Sequence, residues 1–295
     1  MPLFRTPRTP LAPRRRLGRR RALAATGALA AAFGMLIGLS PGAAAAPQDD
    51  PVPLGHAYMG MGVDKDQNPP SGIGIAGHGD GVQGIDVSHW QGAINWGAVR
   101  GAGIQFAWMK ATEGTTYKDP RFNTNYPAAH AAGVIRGAYH FARPNSSSGA
   151  TQANFFASNG GAWSRDNLTL PGVLDIENNP SGAACYGLSQ TAMRNWILDF
   201  YNTYKARTTR DVVIYTSPSW WNSCTGGWNG MATRSPLWVA HWTANHSPSL
   251  PGGFGAWTVW QYTSSGSVSG VSGNVDRNKF NGSRDRLLAL ANNTP

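Results

Sequence analysis

The sequence predicts an α/β fold, a modified (β/α) TIM-like barrel of eight strands with helices mainly between the first five. Three observations carry this reading. From residue 81 onward, eight short apolar segments recur along the chain, each closing on polar or aromatic residues. Helix-like segments separate the early ones, the alternation that builds parallel barrels. Five of the ten acids in this region, Asp86, Glu113, Asp175, Glu177 and Asp276, lie within or at the end of the apolar segments, although charged side chains ordinarily prefer solvated helix faces and loops. A length of about 210 residues suits one sizeable domain.

The elements follow in order. GIDVSHW (84–90) is the first segment and IQFAWMKATEG (104–114) the second, with NWGAVRGAG as the helix between them. NTNYPAAHAAG leads into the third, GVIRGAYHFARP (133–144), and PGVLDIEN (171–178) is the fourth. LSQTAMRNWILDFYNTYKAR has apolar positions at helical spacing and a Ser/Thr-containing start. It precedes the fifth segment, DVVIYTSPSWW (211–221). PLWVAHW (236–242), WTVWQYT (257–263) and GNVDRN (273–278) follow with room for loops but little helix, so the barrel thins in its last third.

Residues 1–46 stand apart. They hold eight arginines and no acid, followed by an Ala/Gly-rich apolar run and the small-residue stretch SPGAAAAP. A charged region, an apolar region and small residues in that order form an export signal. The RRRAL arginines fit a twin-arginine signal, with the general secretory route as the alternative. No other run is long and apolar enough to span a bilayer. Without the eight arginines, 17 basic residues face 15 acidic ones, so most of the formal charge of +10 belongs to the signal. Residues 47–80 are acidic, rich in Gly and Pro and without periodicity, and read as an extended arm or linker. Residues 81–295 are the predicted barrel. They carry 16 basic and 10 acidic residues, a modest positive balance drawn to anionic polymers such as bacterial cell wall. Nothing resembles a nucleic-acid module, and no integral membrane association is expected.

Asp175 and Glu177 sit at alternate positions of an apolar segment, on one side of a strand. Like charges so placed repel and push one pKa up, giving the protonated acid and the anion that glycoside hydrolysis uses. Alone, a D-x-E pair more often marks a structural ion pair. With Asp86 and Asp276 at other segment ends, the balance moves to a catalytic rim. Tyr139, Tyr215, Trp242 and Trp260 lie near segment ends, where a sugar ring could stack; many such aromatics are simply core. His89, His140 and His241 also fall there, but no H-x-H or H-x-x-x-H pair exists, so no metal is expected. Cys185 and Cys224 lie in Gly/Ser/Asn-rich stretches of an exported chain, which favours one disulfide over two free thiols.

The segments GIDVSHWQG, FAWMKATEG, GAYHFARP, LDIEN, VIYTS, LWVAHW, VWQYT and VDRN, in this order over residues 82–282, resemble the lysozymes of glycoside hydrolase family 25. The resemblance implies a secreted N-acetylmuramidase cutting the β-1,4 bond between N-acetylmuramic acid and N-acetylglucosamine in peptidoglycan without a cofactor, and the charge balance fits a wall-bound monomer. It makes Glu177 the general acid/base and Asp175 and Asp86 its partners, with Asp276, Tyr139 and Tyr215 lining the site. The other readings are a non-catalytic cell-wall carbohydrate-binding protein, a chitinase-like hydrolase and a metal-dependent hydrolase.

Overall fold

Eight strands close into a ring, and the computed structural model describes this barrel over residues 81–295 together with the preceding residues 52–63. Residues 1–46, where the export signal is expected, and residues 47–51 and 64–80 of the expected arm lie outside the described residues.

The strands are β1 (Val82–Val87), β2 (Ile104–Glu113), β3 (Tyr117–Lys118), β4 (Ile135–Phe141), β5 (Val173–Asp175), β6 (Val213–Thr216), β7 (Leu237–Ala240), β8 (Val259–Gly266) and β9 (Val275–Phe280). All but β3 form the barrel, in the order β1-β2-β4-β5-β6-β7-β8-β9, with β9 returning to β1. Every neighbour is parallel except β9, which runs antiparallel to both β8 and β1. The short β3 pairs with the end of β2 outside the ring.

Among the described residues the α-helices are α1 (Trp96–Gly101), α2 (Phe122–Ala131), α3 (Gly149–Phe156), α4 (Gln190–Thr208), α5 (Pro218–Thr225) and α6 (Arg284–Asn292). Five of them cover the first half of the ring and none separates β7, β8 and β9, in line with the expected thinning. The long α4 begins at Ser189, whose side chain accepts the Ala192 N–H, and ends at Thr209 in the left-handed region. It packs Met193, Trp196, Ile197, Phe200 and Tyr204 inward. Helices α3, α5 and α6 were not singled out from the sequence. Two of the apolar segments run past the ends of their strands, for a local reason. Ser217 caps α5 and Pro218 occupies its first turn, a pairing that starts helices, so the strand stops at Thr216. Ser88 likewise caps a 3-10 turn at His89–Gln91 and ends β1 at Val87.

Side chains along the strands alternate between two cores, as the pleat requires. Phe106, Trp108, Tyr139, Val173, Val213, Tyr215, Trp238 and Val259 fill the barrel interior. Ala107, Met109, Ala138, Leu174, Ile214, Val239, Trp260 and Tyr262 point outward under the helices. Trp108 and Trp238 meet inside the barrel at 4.7 Å between centroids. Gly137 makes room for this pair, because a Cβ there would lie 2.1 Å from Trp108 Nε1. Cys185, after β5, and Cys224, in α5, form a disulfide with 5.3 Å between Cα atoms.

Candidate active site

The mouth of the barrel lies where its seven parallel strands deliver their C-terminal ends, the usual seat of chemistry in such folds. Asp175 is the last residue of β5, and Glu177 follows in a backbone still held to β6 by the Ile176 N–H on Tyr215 O. Both carboxyls are buried. Asp86 stands near the end of β1, directly opposite Asp276. Asp276 reaches this rim from the start of its strand because β9 runs antiparallel. The structure thus brings Asp86, Asp175, Glu177 and Asp276 to one mouth.

Asp86 is held by amides. Gln261 Nε2 and Asn278 Nδ2 both donate to its Oδ2, at 3.1 and 2.7 Å. Each amide is oriented in turn by the aromatic interior. Tyr215 Oη and Trp242 Nε1 donate to Gln261 Oε1, and Trp238 Nε1 donates to Asn278 Oδ1. A buried amide fixed at its oxygen must present its nitrogen to the carboxylate, so the network sets the direction of Asp86. Gln261 and Asn278 are the site residues that sequence reasoning missed. The usable signal was parity: Asn278 lies two residues from Asp276, and Gln261 lies one residue from the outward Trp260.

Burial dominates the electrostatics. It raises the Asp86 carboxyl to about 6 against the bonds from Asn278 and Gln261 that favour its anion. It raises Glu177 to about 8, with two backbone N–H bonds opposing the rise. Burial and then the Glu177 charge push Asp175 well above the carboxylate range, while Lys110 favours its anion. Burial and the facing Asp86 hold Asp276 high as well. Neither oxygen of Asp175 has a hydrogen-bond partner among the described residues, an expensive state for a buried carboxyl and one common at working sites.

Glu113, the fifth strand-end acid, has a structural role. It accepts Arg143 Nε at 2.9 Å and Lys110 Nζ at 2.6 Å, all three side chains being buried. His140 is bound to Thr112 and Gln152, and burial lowers it to about 4, which keeps the ring neutral. Among the described residues, no group of three or more His, Cys, Asp or Glu is arranged to hold a metal ion.

Tyr139 and Tyr215 face the barrel interior, and burial holds both hydroxyls protonated. Trp242 lies at the mouth with its indole N–H on Gln261. Trp260 is not brought to the site. It takes the outward parity of β8, packs at 5.9 Å against Tyr262 and donates to His241 O. Trp90, half exposed, lines an opening of about 280 Å³ with Asp86, Tyr139 and Asp276.

Residues 52–63 are not a free arm, as the sequence suggests, but lie in this mouth. Gly60 N–H donates to Glu177 Oε1 at 2.8 Å and Gly62 N–H to Oε2 at 3.0 Å.

Comparison with known proteins places this architecture. Residues 85–271 match the family model described as "Glycosyl hydrolases family 25". The chain is 63% identical to Lysozyme M1 of Streptomyces globisporus over 288 residues, covering 95% of this chain and 97% of that protein, a span reaching well before residue 81. It is 43% identical to the N,O-diacetylmuramidase of Chalaropsis sp, covering 71% of this chain and 99% of the other. Among solved structures, the bacterial lysozyme from Streptomyces coelicolor superposes with a TM-score of 0.73 at 71% identity, over 74% of this chain and all of that one.

Proposed function

The chain belongs to glycoside hydrolase family 25, and from that membership we propose that it is an exported lysozyme that cuts the β-1,4 bond between N-acetylmuramic acid and N-acetylglucosamine with retention of configuration. Glycoside hydrolase activity of the lysozyme type is supported by relatives at high identity over most of the chain. The observation that carries the mechanism is Glu177, raised to about 8 by burial, beside Asp175 with both oxygens unpartnered.

A carboxyl with that pKa is protonated at neutral pH and suited to general acid work. In the first step the Glu177 proton passes to the glycosidic oxygen as the C1–O bond breaks. The carbonyl oxygen of the substrate's 2-acetamido group closes on C1 from the opposite face. The acetamido N–H turns more acidic as positive charge spreads onto the ring, and Asp175 accepts its hydrogen bond. That step needs anionic Asp175, a form that Lys110 favours against the larger push of burial and the Glu177 charge. In the second step Glu177 takes a proton from water, the water oxygen adds to C1, and the oxazolinium ring reopens to the acetamide. Two inversions give net retention. Asp86, fixed by Gln261 and Asn278, adds negative potential where the sugar develops positive charge.

The anomer released first tests this reading. Proton NMR of early product is expected to show the β-anomer, and the α-anomer would refute a two-step retaining mechanism. A covalent glycosyl adduct on Asp175, found by mass spectrometry, would replace the acetamido route with a carboxylate nucleophile.

A further inference from the structure

The mouth that must accept a sugar chain is filled by the protein itself. Both oxygens of Glu177 accept backbone N–H groups from Gly60 and Gly62, so the proposed acid faces peptide rather than a glycosidic oxygen. Met59 and Val63 are buried in the same interior cluster as Tyr139, Tyr215 and Trp242. The approach is close enough to require glycine. A Cβ on Gly60, whose φ is +86°, would lie 2.9 Å from Trp242 Cζ2, and one on Gly62 would lie 2.4 Å from Asn178 Cβ.

The rest of the segment is anchored around the rim. Lys110 Nζ donates to Ala57 O at 2.6 Å, Gly55 N–H to Glu113 Oε2 at 3.0 Å, and Asn178 Nδ2 to Gly62 O at 3.2 Å. His56 sets its ring edge against Trp90 at 5.7 Å. The opening that remains has about 280 Å³ and is walled on one side by Tyr58 and Met59.

We propose that residues 52–63 are an autoinhibitory plug, which occupies the sugar-binding mouth and keeps the exported enzyme latent until the segment is displaced. The proposal rests on the muramidase reading for what the mouth binds, but the plug itself is defined by its contacts. It acts in two ways. It excludes the polysaccharide from the four acids, and its two N–H groups occupy both oxygens of Glu177, so the acid cannot reach a glycosidic oxygen. Tethering makes a weak plug sufficient, because a short linker gives an effective concentration on the order of millimolar. Cutting the tether removes that advantage by dilution.

The test uses the chain from residue 47 to 295 in three forms: intact, with Met59→Asp, and with a specific-protease sequence inserted after Pro70 and then cut. Met59→Asp adds a fifth carboxyl to the mouth, in the opening that Met59 lines with Asp86 and Asp276, and is expected to eject the segment. Turbidity loss of bacterial walls is expected to be at least tenfold faster for the variant and for the cut, diluted chain than for the intact one. Equal rates in all three forms, with lysis present, overturn the plug and leave the muramidase reading standing. If no form lyses walls, the muramidase reading fails, and hydrogen exchange of the Gly60 and Gly62 amides decides the plug. Protection in the intact chain that is lost in Met59→Asp supports it, and the absence of protection in both overturns it.

Discussion

Replacing Glu177 with glutamine in the chain 47–295 separates the stability of the site from its chemistry. The folded-state pKa of Glu177, about 8, lies above its ordinary 4.5, so the folded protein holds the proton more tightly than the unfolded chain. The stability tied to that proton is complete below pH 4.5 and is lost as pH climbs through about 8. At about 1.4 kcal/mol per pH unit, ionising the buried group costs on the order of 3–5 kcal/mol by pH 9. Glutamine never ionises and escapes that loss. It carries its own penalty, since its amide nitrogen must face one of the two glycine N–H groups, at about 1–3 kcal/mol for the donor left unpaired. The variant is therefore expected to be less stable than the parent near pH 4 and more stable near pH 9, with wall lysis lost at both. Urea unfolding followed by tryptophan fluorescence checks this. With a slope of about 1–3 kcal/mol per molar urea, the crossing moves midpoints by roughly 1 M. Parallel stability–pH curves for the two proteins would refute the raised pKa.

Three further outcomes follow from the site and its frame. Asp175→Asn is expected to lower kcat on peptidoglycan by about 10²–10⁴-fold, and a loss below tenfold would remove Asp175 from the reaction. Tyr215→Phe deletes the donor to Gln261 Oε1. It is expected to cost about 1 kcal/mol of stability and to lower kcat severalfold at unchanged KM, because Gln261 loses its orientation toward Asp86; an effect on KM alone would contradict that route. Replacing Cys185 and Cys224 together by serine is expected to remove about 2–4 kcal/mol, read as a lower Tm, with lysis retained below it.

Much of the barrel was legible because two signals repeat. Apolar segments closing on polar residues located all eight barrel strands, and acids inside apolar runs located the mouth. The antiparallel β9 was not legible, since strand direction comes from pairing rather than from local pattern. Asp276 reaches the rim only because of that reversal. Trp260 illustrates a limit of proximity in sequence. It sits at the end of an apolar segment, but its neighbour Gln261 takes the inward position, and adjacent residues on a strand face opposite sides. Gln261 and Asn278 look like ordinary strand amides until their aromatic partners are seen. The PSWW stretch carried a readable Ser-Pro helix start beneath its apolar appearance. Residues 52–63 carried no readable signal, because their contacts are made by backbone N–H groups and by two isolated apolar side chains, Met59 and Val63.

The central claim is that this mouth, once open, cleaves on the N-acetylmuramic acid side of the β-1,4 bond. Digesting purified peptidoglycan with the protease-cut chain and identifying the new reducing-end sugar tests it most directly. The account predicts N-acetylmuramic acid at every new reducing end; N-acetylglucosamine there would contradict it.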